Sequence, residues 1–177
     1  ENGRRPNPST LTMGQGEANW LKLLLESKPV IVALNGPAVG LGATHMLCAD
    51  IRIAAKSATV GFPFVRLGAM PECASTALLG RLIGLGRATH LCLTAGSVTA
   101  DEALQMGLVT AVHDDAVLRE EALKLADRVA GFAAQQMKLT KQLLWDNSGE
   151  SDADGIMRRE SSTFIGFLRS INREKPL

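Results

Sequence analysis

The 177-residue sequence has no tyrosine, and aromatic residues make up only 4% of it. It also lacks an excess of either charge, since 19 basic and 18 acidic residues leave a formal net charge of +1, which argues against a nucleic-acid-binding surface. No apolar run is long enough to span a bilayer, and the first residues are polar, without the pattern of a signal peptide. These absences favour a soluble intracellular protein that binds neither nucleic acid nor membrane.

Cysteine is scarce as well. The three cysteines are an odd number and lie in apolar segments, which favours reduced thiols over a disulfide framework: Cys48, Cys73 and Cys92. Neither Cys-x-x-Cys nor His-x-x-x-His occurs, so the spacing of a metal site is missing. No serine or cysteine stands at a nucleophile elbow, and the three histidines are therefore interpreted as structural or surface residues.

A strand that runs into glycines lies near the first third of the sequence. Residues 29–34 are apolar and β-branched like a buried strand, residues 35–42 are rich in glycine, and residues 43–49 predict a helix. A turn from strand to helix leaves backbone N–H groups without partners, and such groups bind anions or developing oxyanions. A dinucleotide-binding loop is the alternative, but His45 occupies its third glycine position and no acidic residue ends the next strand.

Strands and helices alternate after this turn. Residues 50–54 and 57–63 predict strands, residues 64–70 predict an apolar loop or helical turn, and residues 73–83 predict a helix opened by Pro71 and Glu72. A capping box begins at Thr99, a last short strand is predicted at residues 108–112, and the chain is helical thereafter, finally over residues 156–171. This alternation predicts an α/β fold with crossover connections and a parallel sheet.

Two groups of segments resemble one enzyme family. Residues 28–42 (KPVIVALNGPAVGLG) and 48–54 (CADIRIA) are similar to the second half of the acyl-CoA pocket in the crotonase, or enoyl-CoA hydratase/isomerase, family. Residues 93–96 (LTAG), 100–103 (ADEA) and 106–109 (MGLV) resemble the segment downstream in the same family. Their order and spacing agree across about 85 residues, so the resemblance is specific rather than a single motif.

The resemblance implies a crotonase-like ββα spiral with C-terminal helices, assembled as a homotrimer or a dimer of trimers. It divides the chain into a loop or linker at residues 1–16, a partial spiral core at 17–112 and a helical region at 113–177. The family's first strands and one oxyanion-hole donor come before the matched segment, and we expect that portion to be missing here. The implied ligand is an acyl-CoA, with coenzyme A as part of the substrate and no separate cofactor. The implied location is a bacterial cytoplasm or the mitochondrial matrix.

Within this family the resemblance separates two reactions. Hydratases carry two glutamates, and the matching positions hold Thr44 and Phe64, neither of which can act as acid or base. The Δ3,Δ2-enoyl-CoA isomerases carry one glutamate in a Pro-Glu-x-x-Ser context, which Pro71, Glu72 and Ser75 reproduce. The resemblance therefore implies an isomerase in which Glu72 removes a proton from C2 and returns it to C4.

The remaining site residues follow from the same resemblance. The backbone N–H of Leu41 is the expected oxyanion donor, and any residue except proline can supply one. If the turn requires a positive φ at this position, a leucine would be strained. The expected substrate contacts are Ala38, Gly40, Phe64 and Leu67.

Other interpretations of the sequence stay open. Glu72 has a structural alternative, because acids at helix N-termini commonly act as caps. The whole protein has two further alternatives. One is a catalytically silent crotonase-like module that binds acyl-CoA or a protein partner, which the loss of both hydratase glutamates favours. The other is a different enolate-forming family member, such as a relative of thioesterases or decarboxylases.

Overall fold

The computed structural model describes residues 20–173, and the loop predicted at residues 1–16 lies outside them. The chain forms two compact units, the first ending at Ala126 and the second beginning at Asp127. The boundary between residues 112 and 113 that the resemblance implies stays a prediction. In the described part of the chain, no helix combines the length and the apolar character needed to cross a membrane.

A parallel sheet forms one side of the first unit. Its strands, numbered in chain order through the whole protein, are β1 (Ile31–Leu34), β3 (Ile51–Ala55) and β6 (Ala111–His113). The central strand is β3, which pairs with β1 on one edge and with β6 on the other, both in parallel. The central strand β3 is buried over most of its length, as expected of a strand covered on both faces, whereas β1 and β6 are mostly half-buried. The predicted parallel sheet is confirmed.

A second sheet of three short strands contains β2 (Ala38–Val39), β4 (Thr59–Gly61) and β5 (Ser97–Thr99). Here β2 pairs with β4 in parallel, whereas β5 pairs with β4 in the antiparallel sense. Along the chain, β1 and β2 enter the two sheets in succession before a helix, and β3 and β4 repeat this order. Two strands followed by a helix are the repeat of the ββα spiral, so the predicted fold class is confirmed.

Five helices complete the spiral of the first unit: α1 (Trp20–Glu26), α2 (Leu41–Met46), α3 (Ser75–Ile83), α4 (Leu85–Leu93) and α5 (Ala100–Gln105). The predicted capping box is present at the start of α5. Its Thr99 side chain accepts from the N–H of Glu102, and the Glu102 carboxylate accepts from the N–H of Thr99. Gly107 follows with φ of 84°, a left-handed conformation that ends the helix as predicted.

Several boundaries differ from the sequence prediction, among them those of α3, α2 and β6. The helix predicted to begin at Cys73 begins at Ser75, because Cys73 and Ala74 both adopt φ of 56°, which no α-helical residue has. The helix after the glycine turn, α2, spans Leu41–Met46 instead of the predicted residues 43–49. The last strand starts at Ala111 instead of residue 108, since the N–H groups of Leu108 and Val109 both donate to Ala103 at the end of α5.

The core of the first unit lies between the sheets and helices. Its largest fully buried side chains include Phe62, Leu47, Ile53, Leu79 and Leu108. One charged side chain is buried with them. Arg52, on β3, donates from Nε to the Leu108 carbonyl at 2.9 Å and from Nη1 to the Ala49 carbonyl at 2.6 Å. Burial is the main cause that lowers the pKa of Arg52, and the Asp50 carboxylate opposes it.

The C-terminal part of the chain is helical, as predicted. Its helices are α6 (Leu118–Ala130), which runs across the division between the units, α7 (Ala134–Asn147) and α8 (Ala153–Arg173). A groove of about 380 Å3 between α7 and α8 is lined by Leu139, Leu143 and Phe167 among other residues. The exposed large apolar side chains of the second unit are Phe132, Leu144, Met157, Phe164, Ile165, Leu168 and Ile171.

Candidate active site

The glycine turn places Leu41 at the first position of α2. Gly40, just before it, has φ of 59° and ψ of −118°, and its N–H donates to the Gly61 carbonyl at 3.0 Å. The positive φ therefore falls on the glycine, and Leu41 is not among the residues with positive φ. The strain considered for a leucine at this position is absent. No side chain caps α2, and the first N–H groups of a helix have no intrahelical acceptor, so the Leu41 N–H is available to a ligand.

Glu72 lies in the turn that precedes α3 and is half-buried. Its carbonyl accepts from the Ser75 N–H at 3.0 Å, whereas the capping position belongs to Ala74 and has no side-chain hydrogen bond. Glu72 therefore does not cap α3. In the described residues its carboxylate also has no hydrogen bond or ion pair to another side chain. The alternative that Glu72 serves only as a helix cap is therefore not supported.

Helix α2 and the turn after it contact both the Leu41 turn and the residue that follows Glu72. His45 contacts the Leu41 carbonyl through Nδ1 at 2.8 Å, and its Nε2 lies 3.8 Å from the Sγ of Cys73, the neighbour of Glu72. The Sγ of Cys48 lies 3.8 Å from the Cys73 carbonyl oxygen. The backbone segments of Leu41 and Glu72 are thus linked through one short helix and its C-terminal turn.

The surroundings of the Cys73 thiol favour its protonated form. Burial raises the pKa of Cys73, the neighbouring Glu72 carboxylate raises it further, and hydrogen bonding with Thr44 opposes both. A nucleophilic cysteine needs the opposite environment, one that stabilises the thiolate. Within residues 20–173, no group of three or more His, Cys, Asp or Glu side chains could hold a metal ion.

The two positions that carry glutamates in hydratases are apolar or neutral here and are buried. Thr44 is fully buried and its Oγ1 donates to the Leu41 carbonyl at 3.1 Å, while Phe64 has only 8% of its surface exposed. Neither side chain titrates. Both positions therefore serve packing, and Glu72 is left as the acid of this region in the described chain.

The predicted substrate contacts divide between core and surface. Ala38 is buried in β2, which the pairing of Ala38 with Val60 places beside β4, and Gly40 follows at the end of that strand. Phe64 begins a 3-10 helix, Phe64–Leu67, after β4. Leu67, at the other end of this helix, has 75% of its surface exposed. The structure thus gathers Ala38, Gly40 and Phe64 around β4, and the roles of all four residues in binding stay predictions.

Sequence analysis missed the contacts made by His45 and Cys73 and the burial of Ser75. His45 and Cys73 are 28 residues apart and belong to no shared motif, so only the tertiary fold reveals their contact. Ser75 is buried, and its hydroxyl has no hydrogen-bond partner among the described residues. A serine at the start of a helix carries no signal that distinguishes this orphan hydroxyl from an ordinary exposed one.

Comparison with known proteins gives a consistent result. The profile of the enoyl-CoA hydratase/isomerase family matches residues 1–164. A short-chain-enoyl-CoA hydratase of Clostridium acetobutylicum is 39% identical over 150 residues, which cover 84% of this chain and 57% of that protein. A 1,2-epoxyphenylacetyl-CoA isomerase of Escherichia coli K12 is 41% identical over 125 residues, or 71% of this chain and 47% of that protein. The chain spans about half the length of the curated relatives it matches.

Solved structures share the fold. A Thermobifida fusca YX protein assigned as an enoyl-CoA hydratase, in complex with acetoacetyl-CoA, matches with a TM-score of 0.76 and 33% sequence identity. The match covers 79% of this chain and 55% of the T. fusca chain. At this level of identity and overlap, the spiral described above corresponds to that of the T. fusca protein.

Proposed function

Because the chain belongs to the enoyl-CoA hydratase/isomerase family, we propose that it acts as a Δ3,Δ2-enoyl-CoA isomerase through Glu72. The observation that carries this proposal is the pattern of carboxylates. The positions that match the two hydratase glutamates hold Thr44 and Phe64, which are buried and cannot transfer protons. Glu72, in contrast, is half-buried and does not cap α3, and its neighbour Cys73 contacts His45, which also contacts Leu41. One carboxylate suits a double-bond shift, and two are needed for the usual hydration.

The reaction begins at C2 of a 3-enoyl-CoA. The Glu72 carboxylate removes a proton from C2, which is acidic because the thioester carbonyl delocalises the resulting charge onto its oxygen. The Leu41 N–H donates to this dienolate oxygen, an interaction worth about 3 kcal/mol in other oxyanion holes. Glu72, now protonated, returns the proton to C4. The double bond then lies between C2 and C3, conjugated with the carbonyl, and the carboxylate is regenerated.

The proposed ligand is a fatty acyl-CoA. The T. fusca relative in the same family was solved with acetoacetyl-CoA and a further structure from that organism with CoA, which supports a thioester of coenzyme A here. The acyl chain is proposed to lie against Ala38, Gly40 and Phe64 beside β4, with the exposed Leu67 contributing to its outer wall. Coenzyme A enters as part of the substrate.

The isomerase proposal is tested with this chain and its Glu72→Gln variant. We expect conversion of 3-hexenoyl-CoA to 2-hexenoyl-CoA, followed by absorbance of the conjugated thioester, and a fall of at least about 100-fold in kcat for the variant, the size that loss of a general base produces. Glu26→Gln is the matched control, because Glu26 forms only an exposed ion pair with Lys22 in the described structure. It should retain the activity.

Two outcomes would contradict the isomerase proposal. Hydration of crotonyl-CoA at a rate above that of isomerisation would assign the chain to hydratases instead. Binding of an acyl-CoA without turnover of either substrate, measured by calorimetry on the folded wild-type chain, would favour the catalytically silent module. Equal circular dichroism spectra of wild type and Glu72→Gln exclude unfolding as the cause of lost activity.

A further inference from the structure

We propose that His45 is a positioning residue that holds the turn bearing Glu72 against the turn bearing Leu41, acting through Cys73. The inference rests on the proposed isomerase function and extends it, because no sequence motif assigns a role to His45. It concerns the geometry of the two catalytic groups, and His45 itself is not proposed to touch the substrate. The contact between its ring and Cys73 is what joins the two turns.

The two ring nitrogens of His45 have different partners. Nδ1 lies 2.8 Å from the Leu41 carbonyl oxygen, which can only accept, so Nδ1 carries the proton in this contact. In the neutral ring, Nε2 then holds a lone pair and accepts from the Sγ–H of Cys73 at 3.8 Å. The imidazole therefore connects the carbonyl of one turn to the side chain of the other. A phenyl ring of similar size could make neither contact.

Cys73 is held by other residues of the same short segment. The Sγ of Cys48 donates to the Cys73 carbonyl oxygen at 3.8 Å, while the Cys73 thiol contacts His45. Side chain and backbone of Cys73 are thus both fixed by residues of α2 and the turn after it. Because Cys73 directly follows Glu72, these contacts also fix the peptide unit from which the Glu72 side chain departs.

The backbone at this point needs such contacts. Cys73 and Ala74 both adopt φ of 56°, a conformation that residues with a Cβ rarely take and that persists only where surrounding structure enforces it. Neither residue is glycine, so the chain itself does not favour the turn. The polar contact of His45 with Cys73 stabilises this turn. The protonated state of the Cys73 thiol, described above, agrees with its role as a donor to the imidazole.

The test compares His45→Phe with His45→Gln in the 3-hexenoyl-CoA assay. His45→Phe keeps a planar ring but has no polar atom, and we expect kcat to fall about 10- to 100-fold with KM changed less than about twofold, because a small misplacement of the base slows chemistry more than binding. His45→Gln can still donate to the Leu41 carbonyl and accept from Cys73, so it should recover most of kcat. His90→Phe makes the same change at an exposed position of α4 and should leave kcat and KM unaltered.

A second measurement does not depend on isomerase activity. We expect iodoacetamide to alkylate Cys73 at least about fivefold faster in His45→Phe than in wild type, as followed by peptide mass spectrometry under native conditions, because loss of the imidazole contact frees the thiol. Alkylation of Cys92 in the same samples is the internal control and should not change. If His45→Phe does not fold, kcat is compared between Cys73→Ala and Cys73→Ser instead, because these variants change the other partner of the contact.

The outcomes separate the two proposals. An active wild type whose kcat is unchanged in His45→Phe, or a loss that His45→Gln does not recover, overturns the positioning role. An inactive wild type overturns the isomerase function and with it the catalytic consequence of His45. In that case, unchanged alkylation of Cys73 in His45→Phe would overturn the contact as well, and faster alkylation would support it.

Discussion

Two consecutive residues after Glu72, Cys73 and Ala74, share a left-handed backbone with φ of 56°. For a residue with a Cβ this conformation costs about 1–2 kcal/mol relative to the right-handed helix. The turn is therefore held by its surroundings rather than by its own preference. Because of this turn, α3 cannot extend back to Glu72, which lies in the segment before the helix.

Replacement of Ala74 by glycine should stabilise the protein. Ala74 is exposed, so Ala74→Gly removes little packing, and glycine adopts the left-handed conformation without steric cost. After the loss of about 0.4–1 kcal/mol to the greater entropy of the unfolded chain, we expect the free energy of unfolding to rise by about 0.5–1 kcal/mol. Urea denaturation measures it. Ala77→Gly, in exposed helical backbone of α3, is the control and should lower stability instead.

At the level of single residues, the sequence supplies part of the site. Glu72 stands out as an acid in an uncharged stretch, and Leu41 is located by the glycines around it. The links from His45 and Cys48 to Cys73 join residues 28 and 25 positions apart, and they arise from the packing of α2 against the turn before α3. Local spacing cannot encode such contacts, and neither can it predict that Gly40 rather than Leu41 takes the positive φ.

Among the secondary-structure elements, α5 begins with the capping box of Thr99 and Glu102. The Glu102 carboxylate accepts from the Thr99 N–H at 2.8 Å and from the Thr99 hydroxyl at 2.9 Å. These hydrogen bonds, the backbone one first, lower the pKa of Glu102 below its ordinary value of 4.5. A lowered pKa in the folded state means that the carboxylate form stabilises α5 and its protonated form does not.

The capping box should make stability sensitive to acid. The contribution of Glu102 is complete above its unfolded pKa and is lost as the pH falls through its lower folded pKa. We therefore expect Glu102→Gln to be less stable than wild type at neutral pH and to lose less stability between about pH 5 and about pH 3. Thr99→Ala should cost about 1 kcal/mol at neutral pH. Thermal unfolding across this range measures both effects, and parallel pH profiles of wild type and Glu102→Gln would contradict the expectation.

Whole elements were predictable where the pattern is long enough to read. The apolar run before the glycines predicted β1, and the helical spacing after residue 118 predicted the C-terminal helices. The strands β2 and β5 escaped prediction because two or three residues are too few to show alternation. The predicted start of α3 was wrong because Pro71 and Glu72 resemble a first helical turn, whereas the left-handed residues after them belong to a separate turn.

At the scale of the whole molecule, the second unit carries many apolar side chains on its surface. Phe164, Ile165 and Leu168 of α8 are all exposed in the single chain, as are Phe132 and Leu144. Exposed apolar side chains of this size commonly mark surfaces that bind other proteins. The family resemblance implies that copies of the same chain cover them.

We expect the chain to form trimers or hexamers in solution. Light scattering coupled to size exclusion should give three or six times the chain mass of 18.8 kDa. Phe164→Lys places a charge on an exposed apolar position of α8 and should shift the population towards monomer, because burying an unpaired charge in an interface is costly. Ser161→Lys is the control on the same helix, at an exposed polar position. A monomeric mass for the wild-type chain would contradict the expectation.

The order of strands in the parallel sheet has a consequence for synthesis on the ribosome. The central strand β3 is complete at Ala55, but its second partner, β6, is complete only at His113. While the intervening residues are being translated, one edge of β3 exposes unpaired N–H and C=O groups, and such edges are where chains associate with one another. We therefore expect the nascent chain to be prone to aggregation during this interval, when chaperones that shield open strand edges would act on it.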